Sequence, residues 1–217
     1  MCAQLRRRML IAAVIVGGGM LMLLIGIGVY GILRGPASIA ATSTPTSSDA
    51  KSSVAAPVAR PRPLAATADS EIFARAVADA LFRWDTRGSA GAAEWSQPLL
   101  DVGDADEAAG LASDIRGYLP SIEQWDQLEM YGTRQWITID AIRVASGWAT
   151  ALAQATPGQL PPGAIAYTIS GIRHRNGMWE REPTATASAV AFTVFIACPR
   201  NDDCRLLRFS RLNEPLE

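Results

Sequence analysis

GAIAYTISGIRHRNGMWE, residues 163–180, is the stretch that sets the fold class of this chain. Ile165, Tyr167 and Ile169 recur at every second position, the period of a strand with one buried face. Asn176-Gly177, between Arg175 and Met178, is the strongest hairpin signal in the chain, because both residues accept the positive φ of a type I′ turn. Farther on, Ala189 to Cys198 is apolar on both parities, as in a central strand with little solvent on either face. Arg205 to Leu212 reads as a last strand paired back onto it. On the other side, Ile137 and Ile139 alternate with polar partners, and Ile142 and Val144 do so in the opposite parity. That switch predicts a β-bulge near Ala141 and a bent strand.

Helical spacing comes before the strands. Asp69-Ser70-Glu71 is a cap with negative charge in the first turn, and Phe73, Val77, Ala80, Leu81 and Trp84 then share one face of a helix ending near Gly88. Leu111, Ile115 and Tyr118 follow the acidic start Asp104–Glu107 as a second helix. Ser121-Ile122-Glu123-Gln124 has capping-box spacing directly after Pro120 and opens a third, through Trp125 and Leu128. A short helix is expected from Trp148 to Leu152, then a Pro-Gly loop through Gly163. Helices followed by a run of antiparallel strands define an α+β domain, three helices packed on one face of a curved antiparallel sheet.

The N-terminal third has a different character. Met9 to Leu33 is a run of twenty-five residues without a charge, longer than the roughly 20 needed to cross a bilayer core, so it predicts a transmembrane helix at 9–33. Arg6, Arg7 and Arg8 precede it, which places residues 1–8 as a cytoplasmic stub and everything after residue 34 outside. Cys2 is then a free cytoplasmic thiol. A cleaved signal peptide is the competing reading, with Ser38-Ile39-Ala40 as its cleavage site; an apolar region well beyond about 7 to 15 residues favours an uncleaved anchor in the cell membrane. Residues 34–68, with five prolines among Ala, Ser and Thr, are a tether too poor in large apolar side chains to fold, and residues 69–217 form one extracytoplasmic domain.

That sidedness decides the cysteines. Cys198 and Cys204 fall in an oxidising compartment, and the five residues between them have turn chemistry only, so a disulfide across a hairpin loop is expected, bringing Ile196 toward Leu206. Zinc would need four ligands where the domain has two thiols and one imidazole, so no metal is expected. No P-loop, dinucleotide fingerprint or nucleophile elbow occurs, so neither a cofactor nor enzymatic activity is expected. His174, the one histidine, lies on the parity opposite Tyr167 and Ile169 and reads as solvent-facing at a strand end. Most of the six tryptophans belong to the core; Trp84, Tyr131, Trp136 and Trp148 are candidates to line a cleft between bent sheet and helices.

Residues 69–217 carry 13 Arg, no Lys and 20 acids, a poor match for a polyanion, so direct nucleic-acid binding is disfavoured. The acids concentrate in the helical half, at a net −9 for residues 69–131 against +2 for 132–217, a polarity suited to subunit contacts.

FARAVADALFRWDT (73–86), LPSIEQWDQL (119–128), GAIAYTISGIRHRNGMWE (163–180) and SAVAFTVFIAC (188–198) are similar in wording to conjugation-associated proteins of high-G+C Gram-positive bacteria. The layout of stub, single span, tether and acidic α+β domain resembles the TcpC-type and VirB-type scaffold subunits of conjugative type IV secretion channels. The resemblance implies a cone-shaped, nuclear-transport-factor-2-like outer domain, with other secretion-channel subunits or further copies of the chain as partners. TcpC-type proteins have two such domains and this chain one. The function implied is a membrane-anchored assembly subunit, and the alternative is an anchored small-ligand-binding or sensor domain using the cone pocket.

Overall fold

In the computed structural model, which describes residues 58–217, Asp69 opens the first helix by accepting the Ile72 N–H at 2.9 Å. The helix, α1 (Ser70–Phe82), buries Phe73, Ala74, Val77, Ala78, Leu81 and Phe82. Its last bond runs from Arg83 N–H to the Asp79 carbonyl. The chain then turns extended, and Trp84–Asp85 is a two-residue strand, β1, opposite Gln135 and Arg134. The helix expected to reach Gly88 therefore stops at Phe82, because the sheet edge offers Trp84 and Asp85 backbone partners that helical continuation would not.

A helix that periodicity did not reveal follows, α2 (Ala92–Asp101), which buries Trp95, Pro98 and Leu99. Pro98 sits inside it, where it removes one helical hydrogen bond. The next two are as expected: α3 (Ala108–Tyr118) buries Leu111 and Ile115, and α4 (Ile122–Met130) starts at a capping box in which Ser121 Oγ accepts from Gln124 N–H (3.3 Å) and Gln124 Oε1 accepts from Ser121 N–H (3.0 Å).

The remaining elements are β2 (Arg134–Val144), the short α5 (Trp148–Gln154), β3 (Ala164–Trp179), β4 (Glu182–Ala197) and β5 (Arg205–Phe209). All five strands form one antiparallel sheet in chain order, a curved half-barrel. The register of β2 on β3 shifts between Ile139 and Ala141, so the bulge falls at Asp140 and turns Ile142 and Val144 to the face that Ile137 and Ile139 use before it. The concave face packs Tyr167, Ile169, Val190, Phe192, Val194 and Ile196 against α1, while α3 lies over β5. On the other face, α5 places Trp148 against Ala166 and Phe195.

The hairpin lies elsewhere than Asn176-Gly177. Those two residues are inside β3, opposite Ala185 and Thr184, and the turn is Glu180-Arg181, with φ of 47° and 75°. Glycine at 177 serves close approach, since a Cβ there would stand 2.9 Å from the Tyr131 carbonyl oxygen, which accepts the Met178 N–H. Both strands of this hairpin run 16 residues, and their register is unbroken from Ala164↔Ala197 to Trp179↔Glu182.

The expected stub at 1–8, the expected spanning segment at 9–33 and residues 34–57 lie outside the described residues; among those described, no helix is long and apolar enough to cross a membrane. Residues 58–68 are held against the domain, through the Ala59 N–H on Asp85 Oδ2 (3.0 Å), the Thr67 carbonyl under Cys204 N–H (2.8 Å), and Leu64 beside the core.

One ion pair joins the layers. Arg208 on β5 reaches Asp114 on α3 with two bonds (2.6 and 3.0 Å), Glu107 lies 3.5 Å away, and Asp114 also accepts the Phe209 N–H at 3.0 Å. The Asp114 bonds raise the Arg208 pKa above its ordinary value despite partial burial. Asp114→Ala should lower stability by about 1–3 kcal/mol, with the backbone donor of Phe209 orphaned as well, as measured by equilibrium urea unfolding.

Candidate functional site

Strand alternation assigns every residue of the β3–β4 hairpin to a face. Arg173 and Arg175 continue the parity of Tyr167 and Ile169 and so lie on the concave side, opposite Ser188 and Thr186. They enter a half-open pocket of about 420 Å³ that is lined by the α3–α4 connection, by Gln124, Gln127 and Tyr131, and by Leu212. Arg175 donates to Gln135 Oε1 at 2.8 Å and lies over the Trp84 ring, 5.1 Å from its centroid, while its Nε is buried without a partner. Burial lowers the Arg175 pKa, and the charge of Arg173 acts in the same direction. Arg173 Nε donates weakly to Ser188 Oγ at 3.3 Å. Beyond Tyr131 the concave side continues as a shallow trough under Trp179, whose ring lies 5.0 Å from that of Tyr131.

The four aromatic residues expected to share a cleft are divided. Trp84 and Trp136 line one of about 270 Å³ at the open edge of β2, with Asp79, Asp85 and Arg134. Trp84 is itself buried in a cluster with Trp95 and Trp125, at 5.5 Å from the latter's ring. Tyr131 belongs to the arginine-lined cavity and Trp148 to the opposite face of the sheet. The separation follows from the pleat: Trp136 has the opposite parity to Gln135 and Ile137, and α5 crosses the side that α1 does not.

His174 lies on the face opposite Tyr167, as alternation required, but inside β3 and partly buried, not exposed at a strand end. Its ring stacks on Trp136 at 5.0 Å and its Nε2 is 3.0 Å from Thr138 Oγ1. Arg134 covers the same tryptophan at 4.6 Å, so an aromatic and cationic strip runs along the convex face. Among the described residues no group of three or more His, Cys, Asp or Glu is placed to hold a metal ion.

Beside the first cleft, Asp85 is 1 % exposed and accepts four bonds, from Ala59 N–H, Arg87 N–H, Arg87 Nε and Arg87 Nη2. Burial pushes its carboxyl up, and these bonds outweigh that, leaving the pKa below the ordinary value. A sequence offers no signal for this group, because its donors come from residues 59 and 87 around a strand two residues long.

Cys198 and Cys204 are joined as a disulfide, with Ile196 opposite Leu206 as the loop length required. Gly163 makes room for that corner at φ +75°, since a Cβ would collide with the Cys198 carbonyl. The outer edge of β4 changes character along its length. Ala191 exchanges both its N–H and its carbonyl with Asn213 (3.1 and 2.7 Å), and Thr193 does the same with Ser210 (2.9 and 2.9 Å). The unbroken register carries the same outward orientation on to Ala189, Ala187 and Ala185, and among the described residues no strand other than β3 pairs with these three. Pro183 ends the row, having no N–H to give.

No family model, curated protein or solved structure matches the chain.

Two measurements check the polar anchor and the staple. Because the Asp85 pKa is depressed on folding, its contribution is complete above about pH 4, the unfolded value, and is lost as pH falls through the folded one. Asp85→Asn should cost about 1–3 kcal/mol at pH 7 in urea unfolding, and the gap from the parent should narrow as the pH approaches 3. Reduction of Cys198–Cys204 should cost about 2 kcal/mol, the chain-entropy value for so short a loop, read as a lower urea midpoint in reductant.

Proposed function

We propose that this protein is a membrane-anchored extracytoplasmic assembly subunit, of the kind that builds conjugative, type IV secretion-like DNA-transfer channels, and that it acts through protein–protein contacts. The observation that carries the reading is the open edge of β4 at Ala185, Ala187 and Ala189. Unpaired backbone donors and acceptors in a row are a template for strand addition by another chain. Monomeric proteins blunt such edges with charge, and from Pro183 to Thr193 this one has none.

The occupant is the same edge of a second copy. Two such edges can meet antiparallel about a two-fold axis at Ala187, which sets Ala185 opposite Ala189 and brings only small side chains together. At the hairpin tip, Met178 and Trp179 are 47 % and 54 % exposed, an apolar rim available to other channel subunits. The disulfide supports an oxidising location. A curved sheet with helices in its concavity supports the cone shape of the nuclear-transport-factor-2-like class. The acidic helical layer argues for protein partners over direct contact with the transported nucleic acid.

In intact cells a photo-crosslinker at position 187 should yield a covalent dimer of this chain, and added protease should remove the C-terminal domain. A domain protected from the protease would overturn the sidedness, and a crosslinker that never joins two copies would overturn the edge pairing. Genes for a relaxase and a coupling ATPase are expected beside its own. A neighbourhood without them would withdraw the secretion assignment.

A further inference from the structure

Two cations on neighbouring inward positions of one strand need something to offset them. Arg173 and Arg175 are two residues apart on the concave face of β3, so their Cα atoms are about 7 Å from each other. Neither forms an ion pair with a carboxylate among the described residues, unlike Arg83, Arg87 and Arg208. The nearby acids are engaged elsewhere: Asp114 holds Arg208 and the Phe209 N–H, and Glu129 accepts the Trp125 indole N–H at 3.0 Å. No acidic side chain lines the cavity that the two arginines enter.

Their hydrogen-bonding capacity is mostly unspent. A guanidinium has five N–H donors. Arg175 gives one to Gln135 and keeps a buried Nε unpartnered; Arg173 gives one, weakly, to Ser188. The stack of Arg175 on Trp84 and its bond to Gln135 fix the plane of that group before any ligand arrives, which reduces the ordering cost of binding. Gln124 and Gln127 add amide groups at the rim, while Leu119, Leu128 and Leu212 supply apolar wall. A pocket of this size with a positive floor and a partly apolar wall suits a ligand of matching polarity.

We infer that the cavity between β3, α4 and the α3–α4 connection is a binding site for a small organic acid, its carboxylate held by Arg173 and Arg175 and its apolar body against Leu119, Leu128 and Leu212. The site is independent of strand pairing at the β4 edge, which lies on a different strand and is lined by backbone groups alone.

The test is isothermal titration calorimetry of the purified full-length protein with 4-phenylbutyrate and with its neutral counterpart 4-phenylbutan-1-ol. The acid should bind in the sub-millimolar range, and the alcohol about tenfold or more weakly, the loss set by a charge-assisted contact. Arg173→Gln should weaken the acid by a similar factor and leave the alcohol unchanged, with the melting curve superimposable on the parent; Arg173→Lys should recover part of the loss. Arg175→Gln removes a core contact with Trp84, so the decision rests on Arg173. Equal affinity for acid and alcohol, acid binding unaltered by Arg173→Gln, or no binding of the acid at all would each overturn the assignment.

Discussion

The unbroken register between Ala164–Trp179 and Glu182–Ala197 is the constraint on which the rest of the molecule depends. With a period of two and no bulge, the face of every side chain along both strands follows once Tyr167 and Phe192 are committed to the core. Near the disulfide end that commitment yields a wall for α1 to pack against. Farther along, beyond the reach of α1, the same parity delivers Arg173 and Arg175 inward and leaves the backbone of alternate alanines turned to solvent. One alternation thus produces the core, the charged cavity and the free edge. A one-residue slip would exchange all three at once.

Local chemistry made much of this legible beforehand. The Asp69 cap, the Ser121–Gln124 box, the parity switch at Asp140 and the pairing of Ile196 with Leu206 each depend on residues a few positions apart, and each is found as read. What escaped depends on distant partners. Trp84 has helical spacing from Phe73, yet the edge of β2, fifty residues on, draws it into a strand. The helix at Ala92–Asp101 offered only Trp95 and Leu99 as a repeating pair and carries Pro98 in its middle. Asn176-Gly177 misled because glycine has two uses. Here its missing Cβ admits the Tyr131 carbonyl, while Glu180 and Arg181, without glycine's ease, take the turn.

The candidate site was half visible. Two arginines on the buried parity of a strand are a signal that sequence does contain, since charge on that face calls for a cavity or a partner. The aromatic quartet failed as a group for the opposite reason: ring size says that Trp84, Tyr131, Trp136 and Trp148 will bury area, but their directions are set by β2, α4 and α5 separately. Composition identifies greasy surface; topology decides which of it meets.

The way in which residues 58–68 lie against the body has a mechanical consequence. A pull on the chain ahead of Val58 would enter the fold first as load on the Ala59–Asp85 bond, then on the Thr67–Cys204 bond, whose donor is itself half of the cystine. The cystine ties that corner covalently to the end of β4, so tension would spread into the β3–β4 hairpin instead of peeling α1 from the end. A domain built this way resists being unzipped from its N-terminal end.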